Sequence, residues 1–296
     1  MDANEFAAYL ALRKHYPNLH YSIAAYDPWN TGDVIDLAEA AYRELLAPHI
    51  SRAGFVTALG WYQMIGARPR SGRSKTMNWK LPRKPSILNG LAVEMNSPEA
   101  EAPIFWDRTA RISATLSTVY EGSFPSFEMS LKPHVLYGNA VPASIQHIVV
   151  NHAKAAFVRL PGIVGYITCD WVYASDGGGW PPYERWLRVT QPLAAVDFQT
   201  KERLFYRRTR GYYWGNFLNF NHVDILGGEQ ALRRAPVALA EKLANGWYLQ
   251  LTDDINDIDR GRLHELRDFL APVLPVAYYD TRRPPDYDKT LPALVL

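Results

Sequence analysis

Apolar and polar residues recur along this chain with two different periods, and the period switches several times. "LHYSIAAYDP" alternates every second residue, which predicts a strand. Behind it Val34, Leu37, Ala38, Ala41 and Leu45 recur at the three- and four-residue spacing of a buried helix face, with Asn30 or Thr31 placed to cap that helix. "GFVTALGWYQM" then reads as a strand again. A similar unit follows: strands at "ARISATLSTVYEG" and "SFEMSLKPHVL", a helix opened by Pro142, and a strand at "IVGYITCDWVYA". In that second helix Ile145, Ile148, Val149, Ala153 and Ala156 share one side.

The last third predicts a strand at "GYYWGNFL", one or two helices between His222 and Leu243, and a strand at "GWYLQLTDD". A helix with Leu263, Leu266, Phe269 and Leu270 as its apolar side comes next. Loosely repeated strand–helix–strand units with added strands predict an α+β fold, a mixed or mostly antiparallel sheet with helices packed on one face. We expect a single domain over 1–296, with a charged insertion at 64–108 and an extended, proline-interrupted tail at 281–296.

Composition narrows the class without naming a chemistry. Hydrophobic residues make up 48% and charged residues 21% of the 296, the balance of a globular protein with a buried core. The aromatic share of 13% is high, so rings either fill sheet faces or populate a binding surface. A net charge of +2 argues against wholesale polyanion binding or nucleic-acid mimicry. The lone cysteine, Cys169, excludes an internal disulfide and reads as a core thiol in a strand. No signal peptide or membrane-spanning run is legible, which predicts a cytoplasmic protein with no membrane partner.

Charge is unevenly placed. Residues 64–93 carry no acid but seven bases, among them Arg68, Arg70 and Arg73; Glu94, Glu99, Glu101 and Asp107 then arrive together. This reads as a solvated insertion or as a charged docking surface. The loop "SDGGGWPPYERW" holds Trp180 and Tyr183, which are interface anchors or rings packed on the sheet.

Searching for catalysis turns up nothing complete. There is no nucleophile elbow, phosphate loop or zinc-protease motif, and "SDGGGW" lacks the setting of a phosphate cradle. His147 and His152 are five apart on a helix, and His15 and His20 have no carboxylate near them in sequence. "DDINDIDRGRLHE" imitates a calcium loop but places Ile258 and Asp259 where a ligand and a glycine are needed, so it reads as an acidic turn entering a helix. We therefore expect no metal, no cofactor and no catalytic residue.

The stretch "RGYYWGNFLNFNHVDILGG" has the look of a catalytic loop. Its His222 and Asp224 are too close in sequence to face each other on a helix. Asn221 fits an N-cap, and Leu226 followed by Gly227 and Gly228 fits a short helix ending at positive φ.

With "GWYLQLTDD" and "VPASIQHIVVNHAKAAFVRLPGIVGYI", that stretch resembles the bacterial type VI secretion immunity proteins described as immunity to VRR-Nuc type effectors. The resemblance covers about 110–275. It implies a non-enzymatic protein that binds a cognate effector toxin, a nuclease, and occludes its active site or substrate access. Trp214, Gly215, Asn216, Gly227 and Gly228 match the family signature, with a structural role in a strand-to-helix corner. Toxin contacts are then expected at Glu94, Glu99, Glu101 and Asp107, or at Asp253, Asp254 and Asp257, with Trp180 and Tyr183 as anchors. The alternatives are a small-molecule hydrolase or transferase with an aromatic pocket, and a nucleic-acid module using the basic stretch and "KERLFYRRTR". Homo-oligomerisation stays open.

Overall fold

In the computed structural model, residues 18–50, 56–65, 68–74, 88–96, 108–116, 124–137, 140–170, 203–209, 211–257 and 260–274 are described. They build one ten-stranded sheet in the order β3-β2-β4-β5-β6-β1-β7-β8-β10-β9, with every neighbouring pair antiparallel. The strands are β1 (Asn18–Ala24), β2 (Val56–Ile65), β3 (Arg68–Ser74), β4 (Leu88–Asn96), β5 (Arg108–Thr115), β6 (Ser126–Leu131), β7 (Val164–Asp170), β8 (Gly215–Asn219), β9 (Leu239–Leu243) and β10 (Gly246–Gln250). Five helices matter below: α1 (Thr31–Ala41), α2 (Ala143–Arg159), α3 (Phe220–Ile225), α4 (Glu229–Leu232) and α5 (Arg260–Leu270). The fold is α+β.

Period-two alternation decides the two faces. Cross-strand registers line up Ile112, Met129, Tyr21 and Ile167 in one row, and Ala114, Phe127, Ile23, Gly165, Phe217 and Tyr248 in the next. Every side chain in these rows is buried, and burial pushes the Tyr21 hydroxyl pKa far up. α1 and α2 pack on this sheet and on each other. A Leu, Ile or Phe side chain buried in this way contributes roughly 1.5–3 kcal/mol relative to exposure, so the layer contact dominates the stability.

Two crossovers share the covered face. β6 and β7 both run antiparallel to β1 and therefore parallel to each other, joined through α2. β1 and β2, four strands apart in the sheet, are parallel by the same logic and joined through α1. The repeated unit legible in the sequence is thus a pair of β–α–β crossovers whose first strands, β1 and β6, lie side by side.

α1 starts where Asn30 accepts hydrogen bonds from Gly32 and Asp33, at 2.8 and 3.3 Å. It continues into a π-helical turn, Tyr42–Leu46, that buries Leu45 and Leu46 together. Three expectations differ from the fold. The stretch 64–108 is not a loop appended to the domain: β3, an edge strand, and β4, an interior one, come from it. Leu239–Leu243 is a strand rather than helix, because it closes a hairpin with β10. Gly215 and Asn216 lie within β8, inside the predicted strand, rather than at the strand-to-helix corner that follows it.

Candidate functional site

The signature stretch folds as a buried polar network. Asn219, not Asn221, caps α3: its side-chain oxygen accepts from the His222 N–H at 3.0 Å, and His222 Nδ1 accepts from the Asn219 N–H at 3.3 Å. The Asn219 amide nitrogen donates to the carbonyls of Ile163 and Phe205, at 3.1 and 3.0 Å. One side chain thereby ties the end of β8 to the residue before β7 and to the helical turn Leu204–Tyr206.

Asn216 makes a closed pair with the Tyr213 backbone, donating at 2.7 Å and accepting at 3.0 Å. Trp214 Nε1 donates to the carbonyl and hydroxyl of Thr252, at 3.1 and 3.0 Å. Gly227 and Gly228 adopt φ of +98° and +83°, ending α3 in the left-handed region. Gly215 is small for a different reason: a Cβ there would sit 3.0 Å from Ile167 Cβ and the Tyr248 hydroxyl.

His222 is fully buried, and burial pushes its pKa down to about 4, against smaller opposing contributions from the backbone of Arg208 and Phe205. Asp224 points away from it into solvent. The His-x-Asp pair makes no relay.

The opposite face of the sheet carries the polar positions, and along β1, β7 and β8 these too are buried: His20, Ser22, Tyr166, Thr168 and Asn216. One row reads Ser113, Glu128, Ser22, Tyr166, Asn216, and the next reads Arg111, Ser130, His20, Thr168. The register therefore brings Glu128 within one diagonal step of His20, an approach across strands that no local spacing signals. His20 and Tyr166 hold their rings 5.6 Å apart, and Tyr166 stacks on Tyr213 at 4.2 Å. Ser22 and His20 sit about 7 Å apart along one strand, too far for proton transfer. Ser22 Oγ makes no hydrogen bond among the described residues.

The acidic turn after β10 is firmly held. Asp254 Oδ1 accepts from Gln146 Nε2, the Asn256 N–H and Asn256 Nδ2, each at 2.7 Å. Gln146 Oε1 accepts from the Ile255 N–H at 2.9 Å, and Asn256 exchanges hydrogen bonds with the Val141 backbone at 3.1 and 3.0 Å. Asp254 is thus the internal brace of the turn. Asp253 and Asp257 are exposed on it, and among the described residues neither forms an ion pair. A carboxylate held rigidly in solvent is preorganised for a cationic partner, which lowers the ordering cost of binding.

Of the other candidate contact residues, Glu94 lies on β4 opposite Ala58 and Arg111. Glu99, Glu101, Asp107, Trp180 and Tyr183 lie outside the described residues. Among the described residues no group of three or more His, Cys, Asp and Glu side chains is placed to hold a metal, and no helix is long and apolar enough to cross a membrane. His152 and Glu44 approach at 3.3 Å between α2 and the π-helical turn, and burial lowers the His152 pKa against the pull of that carboxylate.

No protein-family model matches the chain, and no curated protein matches it in sequence. Among solved structures it is similar to the Pseudomonas aeruginosa T6SS protein PA0821, with a TM-score of 0.55 over 92% of this chain and 83% of that one. The two are 12% identical. The likeness is therefore one of fold.

Proposed function

We propose that this protein is an immunity protein of a type VI secretion system, one that binds a cognate effector toxin, a nuclease, in the cytoplasm and blocks its active site or its access to substrate. It acts by occupancy, without chemistry of its own. The observation that carries this reading is the acidic turn. Asp254, Gln146 and Asn256 hold it rigid while Asp253 and Asp257 face solvent with no counter-ion among the described residues. Nuclease substrate surfaces are basic, and carboxylates fixed in advance raise association rate and partner choice. The shared fold with a T6SS protein and the resemblance over 110–275 support the same assignment.

The experiment is co-expression of this chain with the product of the gene immediately upstream. Rescue of growth, and a one-to-one complex on size-exclusion chromatography, is the expected result. A purified neighbour that neither binds this protein nor is silenced by it removes the immunity reading.

A further inference from the structure

Three of the four large apolar side chains exposed among the described residues lie at one end of the sheet. Phe220 and Ile225, 43% and 39% exposed, belong to α3, which begins where β8 ends. Val158, 38% exposed, is in the last turn of α2. Asn245, in the turn between β9 and β10, donates to the carbonyls of Phe157 and Gly162, both at 2.8 Å. Gly246, the next residue, pairs with Asn219, the cap of α3. The end of α2 and the start of α3 therefore flank one turn. Leu239, the fourth, pairs with Gln250 at the opposite end.

On α3 the buried side is that of His222 and Val223. Successive residues turn by about 100°, so Phe220, Asn221, Asp224 and Ile225 form the opposite face, and all four are exposed. An aromatic and a branched aliphatic side chain bracket a carboxylate and an amide. Two arginines near this end are matched by acids: Arg159 reaches Asp33 and Asp36 at 3.0 and 3.4 Å, and Arg203 lies 3.6 Å from Asp27. Asp224 has no ion-pair partner among the described residues.

We propose that this face of α3 is a contact surface for a protein partner whose matching patch is a small apolar cluster with a Lys or Arg at its centre. The apolar groups cover Phe220 and Ile225, and the base meets Asp224. A second copy docked here about a two-fold axis would bring Asp224 against its own counterpart, so the face fits a different chain. The proposal rests on the immunity reading and adds where the complex is anchored. Exposed apolar side chains grouped beside an unmatched charge are the makings of a binding hot spot, whereas the acids of the turn act on encounter.

The test measures association and dissociation rates of the full-length protein with the purified product of the upstream gene. Phe220→Ala combined with Ile225→Ala is expected to weaken binding by about tenfold or more through faster dissociation, with a folded protein whose melting temperature falls only modestly because both side chains are partly exposed. Asp224→Lys is expected to lose about tenfold as well, while Phe220→Trp retains binding. If the wild type binds and these variants bind equally well, the α3 surface is wrong and the immunity reading stands. If the wild type neither binds nor protects, both fall. A dimer of this protein alone that Phe220→Ala dissolves would give the face to a second copy and overturn the assignment.

Discussion

Gln146 and Asp254 are joined by a 2.7 Å hydrogen bond between a helix packed on the sheet and a turn at the sheet's end, and the same glutamine accepts from the Ile255 N–H at 2.9 Å. A single buried amide therefore satisfies an acid and a backbone donor at once. Gln146→Ala strands the Ile255 N–H and removes one of three donors to Asp254, and is expected to cost roughly 1–3 kcal/mol in urea unfolding. Faster hydrogen exchange at Ile255 and Asn256 should accompany it. Gln146→Glu sets two carboxylates together, so its cost should be larger at pH 7 than at pH 4.

Acid should weaken this protein through His222. Its folded-state pKa of about 4 lies below the ordinary 6.5, so the unfolded chain binds the proton more readily. The contribution is fully present above pH 6.5 and is lost as pH falls towards 4, by roughly 3 kcal/mol in all. Unfolding free energies at intervals from pH 7 to 4 should show this slope, and His222→Gln should flatten it. An unchanged slope in that variant would move the effect to other groups.

Asn219 combines a cap with a strand tie, and two substitutions separate the roles. Asn219→Ser keeps a cap acceptor but drops the donations to Ile163 and Phe205. Asn219→Ala loses everything. We expect the alanine variant to be about 1 kcal/mol less stable than the serine variant, the worth of an N-cap. Both should fall below the wild type in chemical denaturation.

Two glycines should respond very differently to alanine. At Gly228 a Cβ meets nothing within 4 Å, so Gly228→Ala bears only the backbone cost of φ +83° and ψ −174°, a conformation nearly confined to glycine, about 1–3 kcal/mol. At Gly246 a Cβ would lie 2.0 Å from the Leu218 carbonyl oxygen across the β8–β10 pair. Gly246→Ala is expected to part the strands and prevent accumulation of soluble protein. Expression and melting curves of the two variants side by side decide the point.

Much of the scaffold could be read from residue pattern because a covered sheet face and a covered helix face impose different periods. The α1 positions Val34, Leu37, Ala38 and Ala41 are all buried, as their spacing demanded. What escaped was set by partners distant in sequence. Leu239–Leu243 has helix-compatible residues and is a strand only because β10 offers an edge. The seven bases of 64–93 hid β3 and the first half of β4, since charge and glycine at a sheet edge look like a loop. His20 looked isolated because its neighbouring carboxylate, Glu128, arrives through strand pairing. Asp254 looked like a contact residue because a sequence cannot distinguish an acid that braces a turn from one that projects from it.

The strand order has a consequence for how the chain is made. β1, the first strand described, belongs in the middle of the sheet between β6 and β7, whose residues follow roughly a hundred or more positions later. A ribosome therefore releases β1 with both hydrogen-bonding edges bare, and only after α2 and β7 have emerged can it be enclosed. Until then the nascent polypeptide carries an apolar strand open to any passing edge, so this molecule should depend heavily on holdase chaperones during synthesis.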